Sequence, residues 1–452
     1  GAAASSPAMR SPRATTRRRC PPVSTTFRDA AAFFCLGLAN NAGYNVSLAC
    51  ANEISAGAVG QVFLAAVVPS LLVKASAPHW FRHVSYAVRA LAAAALMASG
   101  FLLVALSRSH TVQLAGVGLV AAQSGLGEAS CLALAGAYPH HRSLLTAWAS
   151  GTGASGMFGY AWVVLLHTLG GASLRATLLA ALCFPIAFLG AHFGLLRAPS
   201  ASGGPAASSP AGDVALTPVA ASTLSPRAVA AARAAEAEGL LEAGRPDSSG
   251  RRAAAPSPPP LPVLPVGVLA TARHVATLWP YMVPLLVVYY AEYVCQAGVW
   301  AAISVGAPDD AKARDRFYKA ANWAYQAGVF VSRSSGTLIH CSLRGLWAMP
   351  AAQALLLAFF AVIAATRLAI GWWLLAPAVL VGLMGGGTYV HAFTLLAASS
   401  PPTLRELNLG AASVADAVGI ALADASAVLV QGCLFRVNHV PGAAFKCGEK
   451  EG

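Results

Sequence analysis

Residues 289–296 read YYAEYVCQ and set one carboxylate, Glu292, in the middle of a long apolar run. An ionisable group inside a membrane-spanning helix is costly, and it faces a cavity or a partner rather than lipid. On a helix Tyr289, Glu292 and Gln296 stand three and four residues apart and share one face. Further along, ANWAYQAGVFVSRSS at 321–335 carries Asn322, Gln326 and Arg333 at offsets of four and seven, a second polar face. An acid on one span and a base on the next converge on one site if both faces look inward. Whether Glu292 braces Arg333 or meets a solute stays open at this level.

The whole chain agrees with a bundle of such spans. Of its 452 residues 57% are hydrophobic and only 10% are charged, against about 25% charged in an ordinary soluble protein. Mean hydropathy is +0.61. The formal charge of +13 comes with no compact basic domain or aromatic-and-basic module, so nucleic acid is not an expected partner; the lipid bilayer is. The nine cysteines are scattered through apolar runs without metal-ligand spacing. They read as small hydrophobes rather than as disulfides or a metal site.

Apolar segments of near-bilayer length fall at about 30–51, 60–73, 84–106, 112–137, 144–169 and 174–196, then at 279–305, 318–340, 346–363, 368–397 and 409–434. The expected organisation is therefore a basic, unstructured N-terminal tail (1–29), a first half of six helices (30–196), a flexible cytoplasmic linker (197–276), a second half of five helices (277–434) and a C-terminal tail (435–452). A transit peptide is the rival reading of the tail, which holds Arg17 to Arg19 and almost no acid. Basic residues at Arg10 to Arg28, at Lys74, Arg82 and Arg89, at Arg142 and along the linker alternate onto one side, which the positive-inside rule makes cytoplasmic. A shift of 260 residues lays Gly125, Gly127 and Gly159 over Gly385, Gly387 and Gly419, and a shift of 265 lays Gln61 over Gln326. Two repeated halves joined by a long linker are the layout of major-facilitator transporters. The expected fold class is an all-α, major-facilitator-like bundle of about 11 transmembrane helices.

Other polar residues fall inside the spans. Asn41 and Asn45 offer amides to a cavity or join helices. Glu128 follows Gly125 and Gly127 in a crowded interior, with transport or proton coupling set against a structural hydrogen bond. Arg333 is a two-pronged anion anchor or a snorkelling cation. Tyr389 and His391 follow three glycines, and an imidazole is suited to carrying a proton. Asp416 shares a stripe with Ser413 and Asp424. Neither a nucleotide loop nor a nucleophile elbow nor a zinc-protease motif occurs, so no catalytic residue, metal or cofactor is expected.

The runs LANNAGYNVSLACANEI, VVPSLLVKASAP, SGLGEASCLALAGAYP, WASGTGASGMFGY, PLLVVYYAEYVCQAGV, YQAGVFVSRSS, GGGTYVHAF and ASVADAVGIALA, in this order from about Ala30 to Leu434, closely resemble the battenin family of lysosomal and vacuolar membrane proteins. The resemblance implies a major-facilitator-like fold, a multi-pass protein of the lysosomal or vacuolar membrane, and export of small solutes by alternating access with a role in pH homeostasis. Glycerophosphodiesters are the favoured solute. Vacuolar transport of basic amino acids such as arginine, or regulation of lumenal pH and trafficking without transport, are the alternatives. Two departures stand out: Cys447 opens CGEKEG rather than a prenylation box, and the linker does not match. Within it Glu236, Leu240 and Leu241 resemble an acidic dileucine signal, which implies sorting adaptors as partners.

Overall fold

A computed structural model describes residues 23–50, 59–197, 265, 267–306, 310–440 and 447. Regular structure among them is helical. The first half holds α1 (Val23–Ala49), α2 (Val59–Trp80), α3 (Tyr86–Leu106), α4 (His110–Gly136), α5 (His141–Val163) and the broken pair α6 (Leu174–Ala180) and α7 (Cys183–Leu189). After the short α8 (Val268–Ala276) come α9 (Trp279–Tyr293), α10 (Ala311–Ser334), α11 (Leu343–Thr366), α12 (Leu375–Ser399) and a second broken pair, α13 (Arg405–Ala412) and α14 (Val414–Val437). A bilayer leaves backbone groups no water, so each span bonds itself as a helix. Serine or aspartate caps close several exposed ends: Ser85, Ser173, Asp310 and Ser342 each accept a backbone N–H of the first turn.

Seven segments among the described residues are long and apolar enough to cross a membrane: 86–106, 110–136, 174–195, 279–302, 343–366, 372–399 and 405–437. The long helices α1, α5 and α10 carry more polar residues and, with α2, complete the bundle. Large apolar side chains such as Leu72, Leu91, Ile186 and Leu355 point outward, as a lipid-facing surface requires. The second span is longer than its hydropathy suggests. It does not stop at Val73 but continues through Lys74 and Pro78 to Trp80.

Packing repeats between the halves. In the first half α1 lies along α5 and α2 along α4; in the second, α9 lies along α14 and α10 along α12. Close approach needs glycine at these crossings. A Cβ on Gly151 would strike the Phe34 carbonyl oxygen of α1, and one on Gly382 would strike the Tyr325 carbonyl oxygen of α10. The halves meet where α5 packs on α10 and α12, α2 on α14, and α4 on α13. The central core therefore mixes Phe33, Leu36 and Trp148 with Tyr289, Tyr389 and Phe393.

Two expectations change. Lys74 and Arg89 are buried at 3% and 5% exposure, so neither is a loop charge. Arg89 stacks on the Tyr86 and Phe81 rings, with centroids 3.9 and 4.4 Å away. Cys433 and Cys447 form a disulfide with Cα atoms 4.9 Å apart, where the cysteines were expected to be small hydrophobes. The spacing of 14 residues carried no signal because Cys447 lies beyond the last span.

Candidate functional site

Helical periodicity delivers one polar set to the interface between the halves. Asn41 and Tyr44 come from α1, Ser70 and Lys74 from α2, and Ser124 and Glu128 from α4, each pair three or four residues apart. The second half supplies Tyr289 and Tyr293 from α9, Arg333 from α10, Tyr389 from α12 and Asp416 from the first turn of α14. The break between α13 and α14, where Ser413 Oγ donates to the Gly410 carbonyl at 2.8 Å, starts a new helix just before Asp416. Its carboxylate then accepts the Ala417 N–H at 2.7 Å and meets the positive end of the helix dipole. These side chains line a cavity of about 80 Å³. That volume holds waters and is well short of the roughly 300 Å³ from which small-molecule sites begin.

Charge pairing organises the cavity wall. Lys74 Nζ lies 2.6 Å from Glu128 Oε2 and donates to Asp416 Oδ1 and Oδ2 at 3.0 and 3.1 Å. One cation from the first half thus holds a carboxylate from each half. Tyr389 OH donates to Glu128 Oε1 at 2.7 Å and accepts the Trp148 indole N–H at 3.0 Å. Its ring lies under the Arg333 guanidinium, 4.3 Å from the centroid. Arg333 donates through Nη1 to Thr152 Oγ1 and through Nη2 to Tyr289 OH, both at 2.7 Å. Among the described residues no carboxylate comes within ion-pair distance of Arg333. It is a buried cation held by neutral donors and acceptors, with Nε left without a partner.

Glu292 lies outside this wall. It is 1% exposed; Oε1 accepts from Tyr325 OH at 3.1 Å, Oε2 has no hydrogen-bond partner among the described residues, and the carboxylate packs where a Cβ on Gly385 would be. From the YYAEYVCQ stretch Tyr289 and Tyr293 line the cavity, while Gln296 sits in the π-helical turn Val294–Val299 with Nε2 unpartnered. Asn45 bonds Ser155 Oγ at 3.1 Å and the Asn41 carbonyl at 3.0 Å, a joint between α1 and α5. Asn322 and Gln326 line a separate pocket of about 30 Å³ with Gly156, Tyr160 and Tyr318. His391 is buried half a turn beyond Tyr389 and lines neither cavity. Asp424 has both carboxylate oxygens buried without hydrogen-bond partners. Glu236, Leu240 and Leu241 lie outside the described residues.

Lys74 is the cavity residue that hydropathy concealed. Its signal was present: Ser70 and Lys74 stand four apart, on one face of a helix. Trp148 and Thr152, within the WASGTGASGMFGY run, carry hydrogen bonds of the site. Among the described residues no three His, Cys, Asp or Glu side chains are grouped to hold a metal ion.

Toward the end of the bundle that carries Arg142, further bonds join the halves. Arg142 donates through Nε and Nη2 to the Gly336 carbonyl at 3.0 and 2.8 Å, and through Nη2 to Ile339 O at 2.9 Å. Ser150 Oγ lies 2.7 Å from Ser334 Oγ, and Tyr86 OH donates to Glu406 Oε2 at 2.6 Å. This end is clasped shut.

A sequence profile of the family described as CLN3 protein matches residues 31–437. Protein btn-1 of Neurospora crassa is 32% identical over 445 residues, covering 90% of this chain and 89% of that protein. Battenin of Canis lupus familiaris is 30% identical over 434 residues, covering 88% and 89%. Among solved structures, the crystal structure of the human organic anion transporter MFSD10 aligns with TM-score 0.56 at 14% identity, covering 93% of this chain and 98% of that one. The proton:xylose symporter XylE aligns with TM-score 0.57 at 12% identity, covering 93% and 92%.

Proposed function

The chain belongs to the CLN3 protein family and has the major-facilitator fold, and we propose that it is a multi-pass membrane transporter that exports small anionic solutes, glycerophosphodiesters foremost, from the lysosome or vacuole to the cytosol by alternating access. One observation carries the solute class: Arg333 faces the central cavity as a cation without a carboxylate partner, beside hydroxyl and amide groups of Tyr289, Ser70, Ser124 and Asn41. A guanidinium offers paired donors to a phosphate oxyanion, and hydroxyls and amides suit the polyol ends of a diester. Arginine is the weaker candidate, because both carboxylates it would need, Glu128 and Asp416, are already paired with Lys74.

The clasped end faces the cytosol in this reading, by the basic residues of the tail and linker, and solute enters from the lumenal side. The bilayer and the solute are the partners; sorting adaptors would read Glu236, Leu240 and Leu241. Proton coupling through the Glu128, Lys74 and Asp416 group would link export to lumenal pH. Purified protein in liposomes, given radiolabelled glycerophosphoglycerol or arginine at neutral and acid pH, tests the reading. Saturable diester flux exceeding arginine flux is expected; absence of diester flux at either pH overturns it.

A further inference from the structure

Lys74 and Asp416 form the one ion pair among the described residues that joins the two halves. Lys74 belongs to α2, Asp416 to α14, and both line the cavity that Arg333 faces. We propose that Lys74 is the second cation of the solute site, that Asp416 occupies it as a tethered stand-in for the solute anion, and that an entering anion takes the carboxylate's place. This rests on the anionic-solute reading above.

The charge inventory carries the argument. Two cations and two carboxylates line the cavity. Glu128 is held by two side chains, the Lys74 ammonium at 2.6 Å and Tyr389 OH at 2.7 Å, and the Trp148 indole in turn donates to that hydroxyl. Asp416 holds the other side of the ammonium, and its remaining partner is the Ala417 backbone N–H. Lys74 is the one side-chain partner of Asp416 among the described residues, whereas Glu128 also has Tyr389, and Asp416 is the carboxylate mounted on the opposite half. An oxyanion between Lys74 and Arg333 would gain both cations and compete with Asp416 for the ammonium.

Displacement has a mechanical consequence. A buried carboxylate stripped of its cation is expensive, and Asp416 recovers solvation only if α14 moves off α2 and water enters. Binding of the anion and release of the cross-half pair are then one event. In the empty carrier the same pair must break without compensation, so exchange of solute for solute should outrun net flux.

Binding of glycerophosphoglycerol to the purified full chain tests this, by titration of the wild type, Asp416→Asn, Lys74→Gln and the double variant. Removing the competitor should tighten binding in Asp416→Asn by about tenfold, removing the cation should weaken it by at least about tenfold, and the double variant should bind no more tightly than Lys74→Gln. Wild-type affinity in Asp416→Asn, or tightening that persists without Lys74, overturns the displacement. No binding by the wild type overturns the diester reading instead. If Asp416→Asn does not fold, Asp416→Ser replaces it in the same titration, and exchange no faster than net flux in wild-type liposomes counts equally against the proposal.

Discussion

Asp416 and Glu292 are buried carboxylates of the same half, at 4% and 1% exposure, yet their surroundings differ in kind. Asp416 meets an ammonium from the opposite half and the central cavity. Glu292 meets a tyrosine hydroxyl and a glycine of its own half. A charge balanced across a moving interface can be exchanged for a solute charge; a charge walled in by one rigid half can only brace it. Burial alone therefore does not separate the two carboxylates; the helix that carries the partner does.

The comparison breaks first at Lys74. Lys74→Ala leaves Glu128 and Asp416 without their cation, and stranding a buried charge costs about 3–5 kcal/mol; thermal unfolding should fall sharply and flux should vanish. Arg333→Ala removes the unpaired cation, with an expected loss of about 2–5 kcal/mol in solute binding, while Arg333→Lys keeps the charge without the fork and recovers part of it. Arg142→Ala unties the clasp from the Gly336 and Ile339 carbonyls, bonds to a charged group worth about 1.5–3 kcal/mol. Its effect should appear as easier opening of the Arg142 end, read as faster labelling of an introduced cysteine at Ser334, with solute affinity retained. The smallest effect is expected for Glu292→Gln, which keeps an acceptor for Tyr325 and removes a buried charge; flux within about twofold of wild type is the outcome consistent with a brace. A collapse of flux in Glu292→Gln would erase the distinction between the two carboxylates.

Much of this bundle was legible because membrane helices declare themselves. The positions of the long helices and the inward faces of Asn41, Glu128, Arg333, Tyr389 and Asp416 follow from hydropathy and helical spacing. What failed did so where a charge pays its desolvation through a partner distant in sequence. Lys74 looked like the end of a span because its two carboxylates lie 54 and 342 residues away. Whether Glu292 braces Arg333 was open in the sequence; Gly385 lets α12 approach so closely that the carboxylate is seated there, and Arg333 turns to Thr152 and Tyr289. Helix periodicity gives the face of a residue; the crossing of helices decides whom it meets.

In alternating access the halves part around this cavity for solute to pass. Ser150 and Ser334 offer a direct test, since their hydroxyl oxygens lie 2.7 Å apart on α5 and α10. A Ser150→Cys, Ser334→Cys double variant in liposomes, oxidised to link the halves, should lose diester flux and regain it on reduction. Undiminished flux with the crosslink fully formed would contradict the account.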